Sequence, residues 1–135
     1  MALTQSEKID LVRLAMKRVN VVSYGANQIQ YGTNPEIVEL SEDPATVCQT
    51  LINVTRENYT CHLGFSAVLS EAADSVFYVE VDGNDRSKRY ANTNATLQFL
   101  DMFQLSTGLH SIVVKATAES AVEIAPREAQ LGVYL

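Results

Sequence analysis

The chain has 135 residues, of which 47% are hydrophobic and 19% charged, and its formal net charge at pH 7 is −6. This composition is typical of a globular protein and excludes a disordered chain, and the length corresponds to one domain with its own core. Residues 1–20 carry four basic and two acidic side chains, a balance of +2, whereas residues 21–135 carry six basic and fourteen acidic ones, a balance of −8. Such an acidic body argues against nucleic-acid binding, which depends on neutralising phosphates.

The N-terminus lacks a basic segment followed by an apolar core, and no uncharged apolar run approaches the roughly 18 residues that a membrane span needs. The sequence therefore predicts a protein made in the cytoplasm, with no membrane partner. Two cysteines, Cys48 and Cys61, are too few for a disulfide framework. In a reducing compartment both are expected in the core, and a bridge between them requires neighbouring strands.

The first 22 residues have the pattern of an amphipathic helix that begins near Thr4 and Glu7, which stand at capping-box spacing. One helical face carries apolar residues at intervals of three and four, namely Ile9, Val12, Met16 and Val19. A helix of this length is marginal alone. This stripe therefore predicts a docking or oligomerisation element that packs on its own β-domain, on a second copy or on a partner protein. We expect a helical segment over residues 1–23 and a β-domain over residues 24–135.

From residue 29 onward the hydrophobic period changes from 3.6 to two, the period of half-buried strands. Extended segments separated by turn residues are predicted at 36–40, 46–54, 60–69, 75–81, 95–103, 109–118, 122–124 and 129–135. In the clearest of them, Cys61, Leu63, Phe65, Ala67 and Leu69 fall on one face. Seven or eight short strands at regular spacing predict an antiparallel β-sandwich, either a jelly roll or an immunoglobulin-like arrangement.

Four segments follow one another in a recognisable order. Ser75–Gly83 ends in a "VDG" hairpin, Leu97–Leu105 is apolar and extended, Ser106–Lys115 contains the pattern G-x-H-x-I-x-V, and Gln130–Leu135 is a short apolar strand. This order resembles the jelly-roll heads of phage fibres and capsid decoration proteins, and the related tumour-necrosis-factor-like trimeric domains.

The resemblance implies a jelly-roll-type β-sandwich preceded by the amphipathic helix. It also implies a non-enzymatic structural protein of a virion that forms a homotrimer and contacts other virion proteins, such as the major capsid protein. No cofactor is implied. In such a trimer, apolar side chains meet along the three-fold axis, and the candidate residues are Phe77, Val79, Phe99, Val113 and Tyr134.

Two other functions stay open. Some of the six tyrosines could line a glycan site by stacking, which would make the chain a receptor- or carbohydrate-binding module. A small hydrolase would need His62 or His110 as its base, but the sequence has no G-x-S-x-G elbow. The carboxylate pairs Glu71/Asp74 and Asp82/Asp85, which could serve glycoside hydrolysis at the right separation, lie in predicted turns.

No metal site is predicted. Cys48, Cys61, His62 and His110 are zinc-binding residue types, but no C-x2–4-C spacing occurs, and the adjacent Cys61 and His62 point to opposite faces of a strand. The acidic turn at residues 82–85 places its glycine too early for a calcium-binding loop.

Overall fold

The computed structural model describes residues 4–5, 21–22, 28–56 and 59–135. These residues form twelve strands: β1 Val21–Val22, β2 Gln28–Thr33, β3 Val38–Leu40, β4 Ala45–Val54, β5 Tyr59–Val68, β6 Ser75–Val81, β7 Asn84–Asp85, β8 Tyr90–Asn92, β9 Thr96–Leu105, β10 Gly108–Ala118, β11 Val122–Ile124 and β12 Ala129–Tyr134. Among the described residues, none belongs to a helix long and apolar enough to cross a membrane.

The predicted N-terminal helix, with Ile9, Val12, Met16 and Val19, lies outside the described residues. At its predicted C-terminal end, the described Val21 and Val22 form β1 and pair with Ile29 and Gln28 of β2. These two residues therefore belong to the sheet and not to the helical segment.

The strands are arranged in two main antiparallel sheets. The front sheet has the order β1-β2-β12-β5-β9, and the back sheet has the order β4-β10-β6-β7, with β8 also paired to β6. A third, two-stranded sheet joins β3 to β11. The long strands β4, β5 and β6 alternate between the sheets, and the C-terminal β12 inserts between β2 and β5. This order is that of a jelly roll, in which long connections cross between two sheets. It excludes the immunoglobulin-like arrangement that the sequence left open.

The core lies between the two sheets and follows the predicted alternation. On β5, the side chains of Cys61, Leu63, Phe65 and Ala67 are all buried. The rings of Phe65, Phe77 and Phe99 form its aromatic centre, with centroid distances of 5.6 Å and 5.2 Å from Phe65 to the other two. Each such large apolar side chain contributes about 1.5–3 kcal/mol when it leaves water, so these rings hold the two layers together.

One side of the sandwich closes where β2 of the front sheet meets β4 of the back sheet. A Cβ atom at Gly32 would lie 2.5 Å from the backbone oxygen of Gln49, so only glycine allows this approach. The hydroxyl of Thr50 donates a hydrogen bond to the backbone oxygen of Tyr31 across the same seam, at 3.3 Å. The close contact fixes the position of β2 and therefore of the front-sheet residues that it carries.

The turn residues at 82–85 predict a hairpin after β6 with Arg86–Tyr90 as its returning arm, and this prediction is only partly correct. Asp82 and Gly83 have positive φ angles and turn the chain into β7, which pairs with β6 as expected. Arg86 still donates its backbone N–H to Val79 of β6 at 3.2 Å, and residues 87–89 then leave the sheet before β8 rejoins it. The side chains of Arg86 and Lys88 reach Asp101 on β9, the edge strand of the front sheet. This segment therefore lies along the β9 edge.

Candidate binding face on the front sheet

The outward face of the front sheet carries two aromatic and apolar rows that cross four strands. The strand register places Ile29, Tyr134, His62 and Met102 side by side in one row. The neighbouring row consists of Tyr31, Gly132, Gly64 and Leu100. A polar row follows, composed of Thr33, Gln130, Ser66 and Gln98. Antiparallel partners on one face are close neighbours, so these rows form a continuous surface.

Large apolar side chains on this face are unusually exposed. The exposed fraction is 82% for Leu100, 61% for Met102, 55% for Tyr31 and 49% for Tyr134. No Asp, Glu, Lys or Arg occupies the described outward positions of β2, β5, β9 and β12. A contiguous apolar patch without charge on a folded protein marks a place that contacts a ligand or another protein.

Two glycines form the floor of a depression in this face, which we call the trough. Gly64 and Gly132 are direct register partners. A Cβ at Gly64 would lie 3.5 Å from Leu100, and one at Gly132 would lie 3.7 Å from the ring of Tyr31. These neighbouring side chains therefore flank bare backbone. The trough has a volume of about 800 Å³. Glycine weakens a strand interior and often marks a position where a ligand or another backbone approaches closely.

One end of the trough is aromatic and the other is polar. The rings of His62 and Tyr134 stack with a centroid distance of 5.0 Å and an interplanar angle of 13°. At the opposite end, Gln98 and Gln130 line a second depression that shares Tyr31 with the trough. The Gln130 amide donates a hydrogen bond of 2.7 Å to the backbone oxygen of Arg127, which orients it. The trough thus offers ring surfaces to a ligand, and the adjoining depression adds side-chain amides.

The β9 edge of the trough carries an ionic cluster. The carboxylate of Asp101 points inward and is 2% exposed, and a buried charge of this kind needs a partner. Arg86 supplies it, with Nε 3.3 Å from Oδ2 and Nη2 3.4 Å from Oδ1. The guanidinium also lies 4.2 Å from the centre of the Phe103 ring. Lys88 places its Nζ 3.6 Å from Oδ1 and lines the trough.

Four of the five residues predicted to face a trimer axis do not lie on the trough. Phe77, Val79 and Phe99 are buried in the core of their own chain, because they occupy inward positions of β6 and β9. Their prediction as axis residues is therefore wrong. Val113 is half-buried on the outward face of the back sheet. Tyr134 alone among the five lies on the trough.

The sequence pattern does not identify Gly64 and Gly132 as site residues, because a glycine has no side chain that would contribute to such a pattern. In the sequence, Gly64 and Gly132 are separated by 68 positions, and only the pairing of β5 with β12 brings them together. Tyr31 and Tyr134 are among the six tyrosines considered for a glycan surface, and they do lie on one face. Tyr78 is buried beneath Arg89, and Tyr90 stacks on Phe99. The side chains of Tyr24 and Tyr59 lie outside the described part of the chain.

The candidate metal residues do not converge. Cys48 and Cys61 are free and buried, and burial raises the pKa of each thiol to about 12. His62 lies on the outward face of the front sheet, while His110 contacts the turn after β6. Among the described residues, no group of three or more histidine, cysteine, aspartate and glutamate side chains is placed to hold a metal ion.

His110 and Asp82, the two polar residues of the "VDG" and G-x-H segments, contact each other. Nδ1 of His110 lies 2.6 Å from Oδ2 of Asp82, and Nε2 lies 2.7 Å from the backbone oxygen of Ser106. The second oxygen of Asp82 accepts the N–H of Ser111. A carbonyl oxygen only accepts hydrogen bonds, so Nε2 carries a proton and faces no nucleophile. The pair therefore lacks the geometry of a general base.

The carboxylates of the predicted Asp82/Asp85 pair are likewise committed to other contacts. The hydrogen bond from Arg89 lowers the pKa of Asp85 to about 2. The hydrogen bond with His110 lowers the pKa of Asp82. The general acid of a glycosidase needs a raised pKa, so this pair is unsuited to that role.

Comparison with known proteins shows the fold but no family. No protein-family model and no curated protein matches the chain. A carbohydrate-binding domain, the CBM36-1 domain of a multidomain xylanase from the hindgut metagenome of Trinervitermes trinervoides, superposes with a TM-score of 0.53 at 6% identity, covering 78% of this chain and 95% of that one. The C-terminal domain of EclA, a sugar-binding protein, gives 0.50 at 12% identity, covering 73% and 79%. Murine APRIL gives 0.50 at 18% identity, covering 80% and 98%. These similarities establish a shared β-sandwich.

Proposed function

We propose that this protein is a non-catalytic carbohydrate-binding module that takes a saccharide into the trough on its front sheet. The observation that carries the proposal is the glycine floor formed by Gly64 and Gly132, beside the exposed ring of Tyr31 and next to two side-chain amides. Two of the three similar structures reported above are a sugar-binding protein and a carbohydrate-binding module. They support the proposal by showing that this type of sandwich is used for that purpose.

The chemistry of the trough matches that of a pyranose ring. Such a ring has an apolar C–H face and a rim of hydroxyl groups. Tyr31 and Tyr134 offer amphipathic rings that suit the apolar face. In the adjoining depression Gln98 offers both donors and acceptors to sugar hydroxyl groups, while Gln130, whose amide nitrogen donates to Arg127 and Thr33, offers its oxygen as an acceptor. Ligand sites of this kind are mainly apolar, with a few convergent polar groups that set orientation.

A glycan array followed by calorimetry on the hits tests this proposal. We expect saturable binding that falls by about two- to tenfold in Tyr31→Ala, because an aromatic stacking contact contributes roughly 0.5–1.5 kcal/mol. Gly132→Val fills the floor and should abolish binding. Its Cβ would meet the Tyr31 ring at an ordinary 3.7 Å, and valine favours strands, so the fold is expected to persist.

Leu109→Ala is the matched control, because Leu109 is 65% exposed on the outward face of the back sheet, away from the trough. It should bind like the wild type, and circular dichroism should show that all variants are folded. The proposal would be abandoned if no saccharide bound, or if Tyr31→Ala and Gly132→Val both kept the wild-type affinity.

A structural role in an assembly is the second candidate, and it is favoured by the exposed aliphatic side chains on the same face. Leu100 and Met102 have no hydroxyl or amide to offer a sugar, yet among the front-sheet residues whose exposure is described they are the most exposed apolar ones. Identical chains of net charge −6 repel one another, and a face without charge is the surface on which that repulsion is smallest. The sequence resemblance names this assembly as a homotrimer in a virion, and none of the similar structures named above is described as a virion protein.

Sedimentation equilibrium separates the two candidates. The assembly role predicts a trimer at micromolar concentration that dissociates in Leu100→Lys, since the substitution places charge within an apolar contact. Leu51→Lys, at a position on the back sheet that is also exposed, should leave the trimer intact. A wild-type chain that stays monomeric over the whole concentration range would eliminate this candidate and leave the trough free for a ligand.

A further inference from the structure

The β9 edge of the trough has more positive than negative charge. In the described part of the chain, the salt bridges of Arg86 and Lys88 both end on the single carboxylate of Asp101. Two cations therefore share one anion. The described outward positions of the strands that form the trough hold no Asp, Glu, Lys or Arg, so this surplus is not offset there.

The oxygens of Asp101 are occupied without Lys88. Arg86 contacts both of them through Nε and Nη2. In addition, Oδ1 accepts the N–H of Met102 at 2.7 Å. The contact of Lys88 with Oδ1 is the longest of these, at 3.6 Å, and the Lys88 side chain is 56% exposed. Arg86 thus neutralises the buried carboxylate, and the ammonium of Lys88 keeps its charge available to a ligand.

We infer that the trough selects saccharides that carry a carboxylate, such as uronic acid units, and that Lys88 binds this group. The inference rests on the proposed function. An ammonium at the rim of an uncharged site stabilises an anionic group by a direct ion pair. The net negative charge of the rest of the chain is largely screened beyond about 8 Å at physiological ionic strength, so the nearby cation dominates inside the trough.

The test compares sugars that differ only in this group. Calorimetry of the full chain would use oligomers of mannuronate against mannose and of galacturonate against galactose, because each pair exchanges a carboxylate for a hydroxymethyl group. In one of these two pairs, we expect the acidic sugar to bind about fivefold more tightly than its neutral counterpart. A partly exposed ion pair supports an affinity ratio of this size. The preference should shrink in about 1 M salt, where charges are screened within roughly 3 Å.

Variants assign the preference to its residue. Lys88→Gln should reduce the ratio of acidic to neutral affinity to about one. Lys88→Arg should retain the preference. Lys115→Gln is the matched control, since Lys115 lies on the back sheet and pairs with Glu80. It should behave like the wild type.

The outcomes separate the two proposals. Neutral sugars that bind as well as acidic ones, or an acidic preference that persists in Lys88→Gln, would overturn this inference and leave the carbohydrate-binding function intact. Failure of every neutral and acidic sugar to bind would remove both.

Discussion

The contact between His110 and Asp82 makes a stability prediction that depends on pH. The partners of the ring nitrogens are a carboxylate and a carbonyl, which both accept hydrogen bonds, so the folded state favours the doubly protonated imidazolium. In agreement, the hydrogen bond with Asp82 raises the pKa of His110 above its ordinary value of 6.5. The same hydrogen bond lowers the pKa of Asp82 below 3.8.

The sign of the effect follows from these two directions. A histidine whose pKa is raised by folding stabilises the protein fully below the unfolded value, and this contribution is lost as the pH rises through the folded value. An aspartate whose pKa is lowered contributes above its unfolded value and loses that contribution as the pH falls through the folded one. The stabilisation from the pair is therefore greatest between the two ordinary values, 3.8 and 6.5.

The magnitude is modest because the pair is only partly buried. The hydrogen bond from His110 to the carbonyl of Ser106 contributes about 1 kcal/mol. The ion pair contributes at most about 1 kcal/mol, since the Asp82 side chain is 43% exposed and solvent screens it. Replacing His110 by Gln should therefore destabilise the protein by about 2 kcal/mol at about pH 5.5, which lowers Tm by roughly 8 °C for a domain of this size.

Thermal unfolding at two pH values tests the reasoning. At about pH 9 a neutral imidazole keeps one N–H and loses the ion pair, so the cost of His110→Gln should fall to about 1 kcal/mol or less. His62→Gln is the control, because His62 lies on the front sheet, where it stacks on Tyr134, whereas His110 lies on the back sheet. A Tm difference between wild type and His110→Gln that is equal at both pH values would refute the imidazolium assignment.

Two further predictions concern buried groups. Asn34→Ala should lower the free energy of unfolding by about 3 kcal/mol in a denaturant titration, because the buried Asn34 side chain donates to the backbone oxygens of Glu36 and Ala125 and accepts the buried N–H of Ala129. Cys48 and Cys61 should resist a thiol reagent in the native state and react after unfolding, since burial raises the pKa of both thiols to about 12. Rapid native labelling would contradict their placement.

The periodicity of the sequence predicted the strands and their faces well. The inward residues of β5, β9 and β10 are those that the alternation assigns to one side, because a strand exposes its side chains to opposite faces with a period of two. On β9 the same alternation puts Asp101 on the side of Phe99, and both residues are buried. The pairing between strands could not be predicted in this way, because alternation does not encode which strand lies beside which. The jelly-roll order therefore came from the tertiary structure.

The same limit explains why core residues were predicted to face a trimer axis. Phe77 and Val79 are apolar and lie on a strand, which suits both a core and an interface, and only their position between two sheets assigns them to the core. The segment at 86–89 is a related case. Its short-range pattern favours a returning hairpin arm, but the chain leaves β6 after Arg86. The buried carboxylate of Asp101 requires a cation, and the side chain of Arg86 supplies it across a long range that the local pattern does not contain.

By itself, then, the sequence determined that apolar and polar residues alternate along the strands, that one face of each strand is buried, and that residues 21–135 carry a net negative charge. These properties can be read from the sequence, because each depends only on neighbouring residues or on a sum over the chain. The trough was decided only by the tertiary structure. Its floor requires Gly64 to pair with Gly132, and its rim requires Lys88 to lie along β9. Neither contact can be read from the sequence, because each joins residues whose distance in space is set by the register and order of strands that are remote in the chain.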